Sequence, residues 1–185
     1  MAPRGRRGGE ISGLKGRVAE AFVEAIFRRA GYLVSRVGRE SQFQRLVKIG
    51  VDEFLPDFLL RKPVGETLSG RPLHRLIPVE VKYRASVEEF LGRHGDELVT
   101  RVGGQWPELC IVFVTDQPAP GRSCFQVIDL SAMRLGETLV SVDLHEVRDL
   151  DIYARTVEAY EGLVRQIFPM LRLGAGSERS PGGGG

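Results

Sequence analysis

The stretch 77–84, IPVEVKYR, alternates apolar and charged residues and decides how the rest of the chain is read. A β-strand sends successive side chains to opposite faces, so Ile77, Val79, Val81 and Tyr83 share one face while Glu80, Lys82 and Arg84 share the other. A carboxylate and an ammonium therefore stand side by side on a strand whose far face is apolar enough to be buried. A plain ion pair on an exposed sheet surface accounts for such a pair. What else the chain brings near Glu80 and Lys82 decides between that reading and a chemical one.

The segment FLPDFLLR (54–61) reads as the preceding strand, with Pro56 fixing the backbone just before Asp57. The stretch KPVGETLSGRPLHR (62–75) is rich in turn formers and predicts a hairpin-like connection between the two strands. If 57–61 and 77–83 pair, Asp57 reaches the sheet face that carries Glu80. Two carboxylates that close raise each other's proton affinity unless a cation lies between them, so the arrangement implies either a shared proton or a bound metal. Oxygen-only donors select a hard ion, Mg2+ or Mn2+, which needs only one or two protein carboxylates. At a phosphodiester such an ion activates water and neutralises growing charge. Lys82 is placed to orient that water and to stabilise the transition state.

Working outward, LKGRVAEAFVEAIFRRAGY (14–32) repeats Val18, Phe22, Ala25 and Ile26 at helical spacing, and Gly31 stands where a helix stops. Glu20 and Glu24 lie one turn apart beside the apolar arc of this helix. YLVSRV (32–37) reads as a first strand, and SQFQRLVKIG (41–50) fits a helical turn or a strand equally. Ser86 and Glu89 form a capping box that opens a helix ended by Gly103 and Gly104. LCIVFVT is a continuous apolar run, as a central strand is. CFQVIDL and LVSVDLH predict two more strands, and IYARTVEAYEGLVRQIFPML predicts a closing helix with a stripe of Tyr153, Val157, Tyr160, Val164 and Ile167. The expected class is α/β, a mixed central sheet flanked by helices with extra C-terminal strands and a closing helix.

The Pro56-Asp57 pair, the strand-borne Glu80-Val81-Lys82 and the upstream helix segment GRVAE with Glu20 resemble the PD-(D/E)XK nuclease superfamily. The order helix, three strands, helix, strand over residues 10–115 is similar to that superfamily's restriction endonuclease-like αβββαβ core, and the branch resembled most is the Holliday junction resolvase-like and Mrr-like one. The gap from Asp57 to Glu80 is wider than in compact members. The resemblance implies a Mg2+- or Mn2+-dependent DNA endonuclease of repair, recombination or restriction. Asp57 and Glu80 would ligate the metal, the Val81 carbonyl is a candidate further ligand, and Lys82 would assist the attacking water. Glu20 would stand at the edge of the site, with Glu24 as its substitute. A catalytically silent DNA-binding or assembly subunit of the same fold is the alternative. Members commonly act as homodimers.

Arg84, on the face of Lys82, is a candidate phosphate contact, as are Arg36, Arg39 and Arg45 if their segment flanks the cleft. Gln105 and Trp106 offer a polar donor and an aromatic platform to DNA, although a Trp packed under a loop is the commoner arrangement. His74, His94 and His145 are too scattered for a metal helix or a catalytic triad.

The 185 residues are 42% hydrophobic and 27% charged, with a net charge of +2, ordinary for a single globular domain. One domain is expected over 10–173, between a disordered basic N-terminus (1–9) and a disordered Gly-rich tail (174–185). The basic start comprises Arg4, Arg6, Arg7, Lys15 and Arg17. No apolar run is long enough to span a bilayer, and Cys110 and Cys124 lack metal-clip spacing, so a cytoplasmic protein with reduced thiols and no membrane partner is expected.

Overall fold

The computed structural model describes residues 6–37, 55–130 and 139–173. Its first helix, α1 (Arg6–Arg29), begins upstream of the expected Leu14, inside the stretch read as a disordered end. Lengthening an existing helix avoids the cost of nucleation, so Gly8 and Gly9 weaken the first turns without forbidding them. The helix stops at Gly31, whose φ of 86° is the left-handed turn that lets the Tyr32 N–H reach back to the Phe27 carbonyl at 3.0 Å. Arg28 and Arg29 complement the negative end of the helix dipole.

Six strands form one sheet in sequential order. They are β1 (Leu33–Arg36), β2 (Phe58–Glu66), β3 (Pro72–Tyr83), β4 (Cys110–Val114), β5 (Phe125–Asp129) and β6 (Val142–Asp143). All neighbours are antiparallel except β3 and β4, which run parallel in the register Val79↔Cys110 to Tyr83↔Val114. That parallel step needs a crossover, supplied by α2 (Val87–Glu97) and a π-helical turn at Leu98–Val102. Ser86 caps α2 by accepting the Glu89 N–H, as the capping box predicts.

The β2–β3 hairpin runs further into the Gly/Pro-rich connection than its composition suggests. Its turn occupies only residues 67–71, closed by Gly70 at φ 75°. The expected strand LVSVDLH shortens to Val142–Asp143 and passes into a 3-10 turn, because the Asp143 carboxylate is drawn inward to Arg122 (2.9 Å) and the Ser123 N–H (3.2 Å). The closing helix α3 (Ala154–Leu173) buries Val157, Val164 and Phe168. Tyr153 precedes it and is exposed, since the left-handed Asp151 (φ 49°) turns the chain before the helix begins.

The sheet is covered on both sides. One core gathers Val23, Phe27, Phe58, Leu60, Val79, Val112, Phe125 and Phe168 beneath α1 and α3. The other gathers Val87, Leu91, Leu98, Leu109, Ile111, Phe113 and Ile128 beneath α2 and the π turn. Every residue of β4 is buried, which is why its sequence is uninterruptedly apolar. Ile77, Val79 and Val81 enter the first core, so Glu80 and Lys82 necessarily face the α2 side, in register with Ile111 and Phe113.

Candidate active site

The antiparallel register Phe58↔Val79 sets Asp57, one residue before β2, against Glu80. The Asp57 carbonyl accepts the Val37 N–H at 3.0 Å, and its Oδ2 accepts the Val81 N–H at 2.8 Å. Asp57 is thus fastened to β1 by its backbone and to β3 by its side chain. Its carboxyl lies within hydrogen-bonding reach of that of Glu80. Lys82 Nζ donates to Glu80 Oε1 at 2.7 Å.

This is not an ion pair on an exposed surface. Glu80 is only 9% exposed. Burial pushes its carboxyl up to about 7, with Asp57 adding to the rise and Lys82 opposing it. Asp57 is raised in the same direction, again by burial, against the Val81 N–H and the positive charges of Lys82 and Arg36. Two carboxyls that both resist ionisation share a proton when no other cation is present.

Glu20, on α1, is raised by partial burial and by the charge of Asp57, so it belongs to the same electrostatic group. Glu24 does not. Burial opposes its ionisation, but bonds from Arg28 and Arg36 more than offset this and hold its carboxyl below the ordinary range. Arg36 grips Glu24 Oε2 through Nε at 2.8 Å and Nη2 at 2.5 Å, while its Nη1 lies 3.8 Å from Glu20. Arg36 thus engages Glu24 more tightly than Glu20, and only Glu20 feels the charge of Asp57.

Among the described residues no three His, Cys, Asp or Glu side chains close on one point tightly enough to hold a metal ion by themselves. The centre is a pair of carboxylates with a third behind it. The donor set still suits Mg2+ or Mn2+, which retain most of their waters and accept one or two carboxylates. The raised proton affinity of Asp57 and Glu80 is a deficit of positive charge that a divalent ion would relieve.

Of the other expected contacts, Arg84 feels the charge of Glu80 without pairing with it, while Arg36 is bonded to Glu24. Gln105 lies in the turn before β4, and Trp106 packs on the second core, the commoner of its two arrangements. Arg39, Arg45 and the stretch 41–50 fall outside the described residues. Cys110 and Cys124 are buried, and burial pushes the Cys110 thiol up to about 12, as inert thiols require.

One cluster escaped the sequence reading. Lys15, counted there among the basic N-terminal residues, is 2% exposed. Its Nζ donates to Tyr83 Oη at 2.9 Å and to Asp116 Oδ2 at 3.1 Å, and Tyr83 donates to Asp116 Oδ1 at 2.8 Å. The ammonium also lies 4.7 Å from the Tyr83 ring centroid. The cluster ties α1 to the ends of β3 and β4, one residue from Lys82. A signal existed: Lys15 precedes Val18, Ala19 and Phe22 by three, four and seven residues, in line with the buried stripe.

No family model and no curated protein sequence matches this chain. Among the described residues no helix is long and apolar enough to cross a membrane.

Proposed function

We propose that the protein is a divalent-metal-dependent DNA endonuclease of restriction endonuclease-like fold, in keeping with the resemblance of its motifs to the PD-(D/E)XK superfamily. The observation that carries the reading is the Asp57–Glu80 pair, two part-buried carboxyls of raised proton affinity set face to face beside Lys82. Asp57, Glu80 and the Val81 carbonyl would hold Mg2+ or Mn2+. The ion supplies Lewis acidity toward water and phosphate.

The chain's own groups do the rest. The Val81 N–H holds Asp57 in a single orientation. The Lys82 ammonium, which donates to Glu80 Oε1, would orient the attacking water and stabilise the negative charge that develops on the phosphate oxygens. Glu20 orients water from the α1 side. Burial of Glu80 weakens solvent screening at its carboxyl, which strengthens these interactions.

The direct Lys82–Glu80 bond also fits a second reading, a catalytically silent DNA-binding or assembly subunit in which the pair is structural. The test is conversion of supercoiled plasmid and of branched DNA in Mg2+ or Mn2+, with and without chelator. The nuclease reading expects cleavage by the wild type, lost in chelator and in Asp57→Ala, Glu80→Ala and Lys82→Ala. DNA binding without cleavage, unaffected by Lys82→Ala, supports the silent subunit. A wild-type protein inert on every DNA form with both metals defeats the nuclease reading.

A further inference from the structure

Three cations around the site have carboxylate partners: Lys15 has Asp116, Lys82 has Glu80 and Arg36 has Glu24. Arg84, which is half-buried, has none among the described residues. Its side chain makes one hydrogen bond among the described residues, from Nη1 to the Tyr83 carbonyl at 2.7 Å. Its guanidinium lies 4.2 Å from the ring centroid of Phe90 on α2. Phe90 is itself set against Phe113 in the second core, at a centroid separation of 5.6 Å. The backbone of Arg84 extends the β3–β4 pairing, with its N–H on the Val114 carbonyl at 3.0 Å.

A guanidinium cannot escape the cost of burial by losing its proton. Burial does lower its proton affinity, and the charge of Glu80 opposes that without coming into contact. A fork-shaped cation fixed by a ring and a carbonyl, with most of its N–H groups unused and no counter-charge, is a preformed seat for an anion. Its position narrows the anion. Glu80, Lys82 and Arg84 occupy alternate positions on one strand face, so Lys82 and Arg84 are about 6.6 Å apart along the strand. That is comparable to the step between successive phosphates of a nucleic-acid strand.

Resting on the nuclease reading above, we infer that Arg84, seated on Phe90, is the anchor for the DNA phosphate next to the cleaved bond. It grips two non-bridging oxygens of that phosphate and so fixes the register of the strand over Asp57, Glu80 and Lys82. The contact positions the backbone and reads no base.

The experiment measures affinity for a DNA duplex by fluorescence anisotropy in Ca2+ over a range of salt concentrations. It compares the wild type with Arg84→Gln, Arg84→Lys and, as a control, Arg101→Gln, which alters an exposed arginine on the π turn. Arg84→Gln is expected to weaken binding roughly tenfold and to reduce the slope of log affinity against log salt by about 0.9, the value of one phosphate contact. Arg84→Lys keeps the charge without the fork, so it retains the slope but only part of the affinity, and its folding guards against a merely misfolded variant. Arg101→Gln should behave as wild type. Equal affinity and slope in Arg84→Gln and wild type overturn the inference. A second probe separates it from the nuclease reading: inorganic phosphate should move the Arg84 Nε–H resonance, assigned by its loss in Arg84→Lys. Movement with phosphate and no binding of DNA would leave the anion seat standing and sink the DNA reading. No movement with phosphate or DNA overturns the seat itself.

Discussion

The N–H of Val81 donates to Asp57 Oδ2 across 2.8 Å, so a side chain takes the acceptor's place beside β3 just where the β2 ladder begins. The same bond holds Asp57 near Glu80, so that two part-buried carboxyls face each other. Their mutual discomfort is the most accessible property of the site, because it is measurable without any substrate.

Glu80, raised from 4.5 to about 7, holds a proton in the folded state that the unfolded chain has already released within that window. The folded state binds more protons there, so stability falls as pH rises from about 4.5 to about 7 and stays low above it. The cost of the charged form is on the order of 3 kcal/mol. Asp57 shifts in the same sense. Urea unfolding in chelator at pH 5, 6, 7 and 8 should show this decline, and Glu80→Gln should flatten it and be the more stable protein at pH 8. A wild type whose stability rises over this range would contradict the assignment.

Binding of a divalent cation must expel the shared proton, so affinity for Mn2+ should increase between pH 5.5 and 7.5 and each binding event should release protons. Calorimetry in two buffers of different ionisation enthalpy measures that release directly. Removal of the metal by chelator should lower the melting temperature, as expected for a ligand that binds only the folded chain. Asp57→Asn should lose both effects.

The two glutamates of α1 should separate cleanly. Glu20→Ala leaves stability nearly unchanged and lowers the cleavage rate by about 10- to 100-fold, the usual consequence of losing a group that supports a metal centre. Glu24→Ala removes the surface clamp on Arg28 and Arg36, costs about 0.5 kcal/mol and retains most activity. Plasmid nicking rates alongside chemical denaturation test both.

Lys15 and Asp116 form an ion pair with side chains 3% and 0% exposed. Removing one partner leaves the other a buried charge without its counter-ion, so Lys15→Met and Asp116→Leu should each cost about 3–5 kcal/mol. The double substitution should recover most of that loss. A double-mutant cycle by urea unfolding gives the coupling.

The fold was legible wherever a local period carries the information. The two-residue alternation of 77–84 correctly divides the core face from the charged face, and the turn-forming composition of 62–75 correctly pairs β2 with β3. The juxtaposition of Asp57 with Glu80 follows from those two facts alone. What stayed hidden depends on distant partners. Lys15 meets Asp116 across 101 residues, and no local pattern links them. The commitment of Arg36 to Glu24 depends on the angle at which β1 leaves α1. β6 is short because Arg122 and Ser123 draw Asp143 inward.

Lys15 is pinned to Asp116 and Glu20 feels the charge of Asp57, five residues apart on one uninterrupted helix. Five residues of α-helix advance about 7.5 Å and leave the two side chains about 140° apart around the axis. The helix is therefore a fixed gauge between the Asp116 anchorage and the carboxylate pair. A single residue inserted or deleted between them would swing one end by about 100° and leave no rotation of α1 that serves both. Length between these two positions, more than the identity of the residues filling it, is what this part of the chain has to preserve.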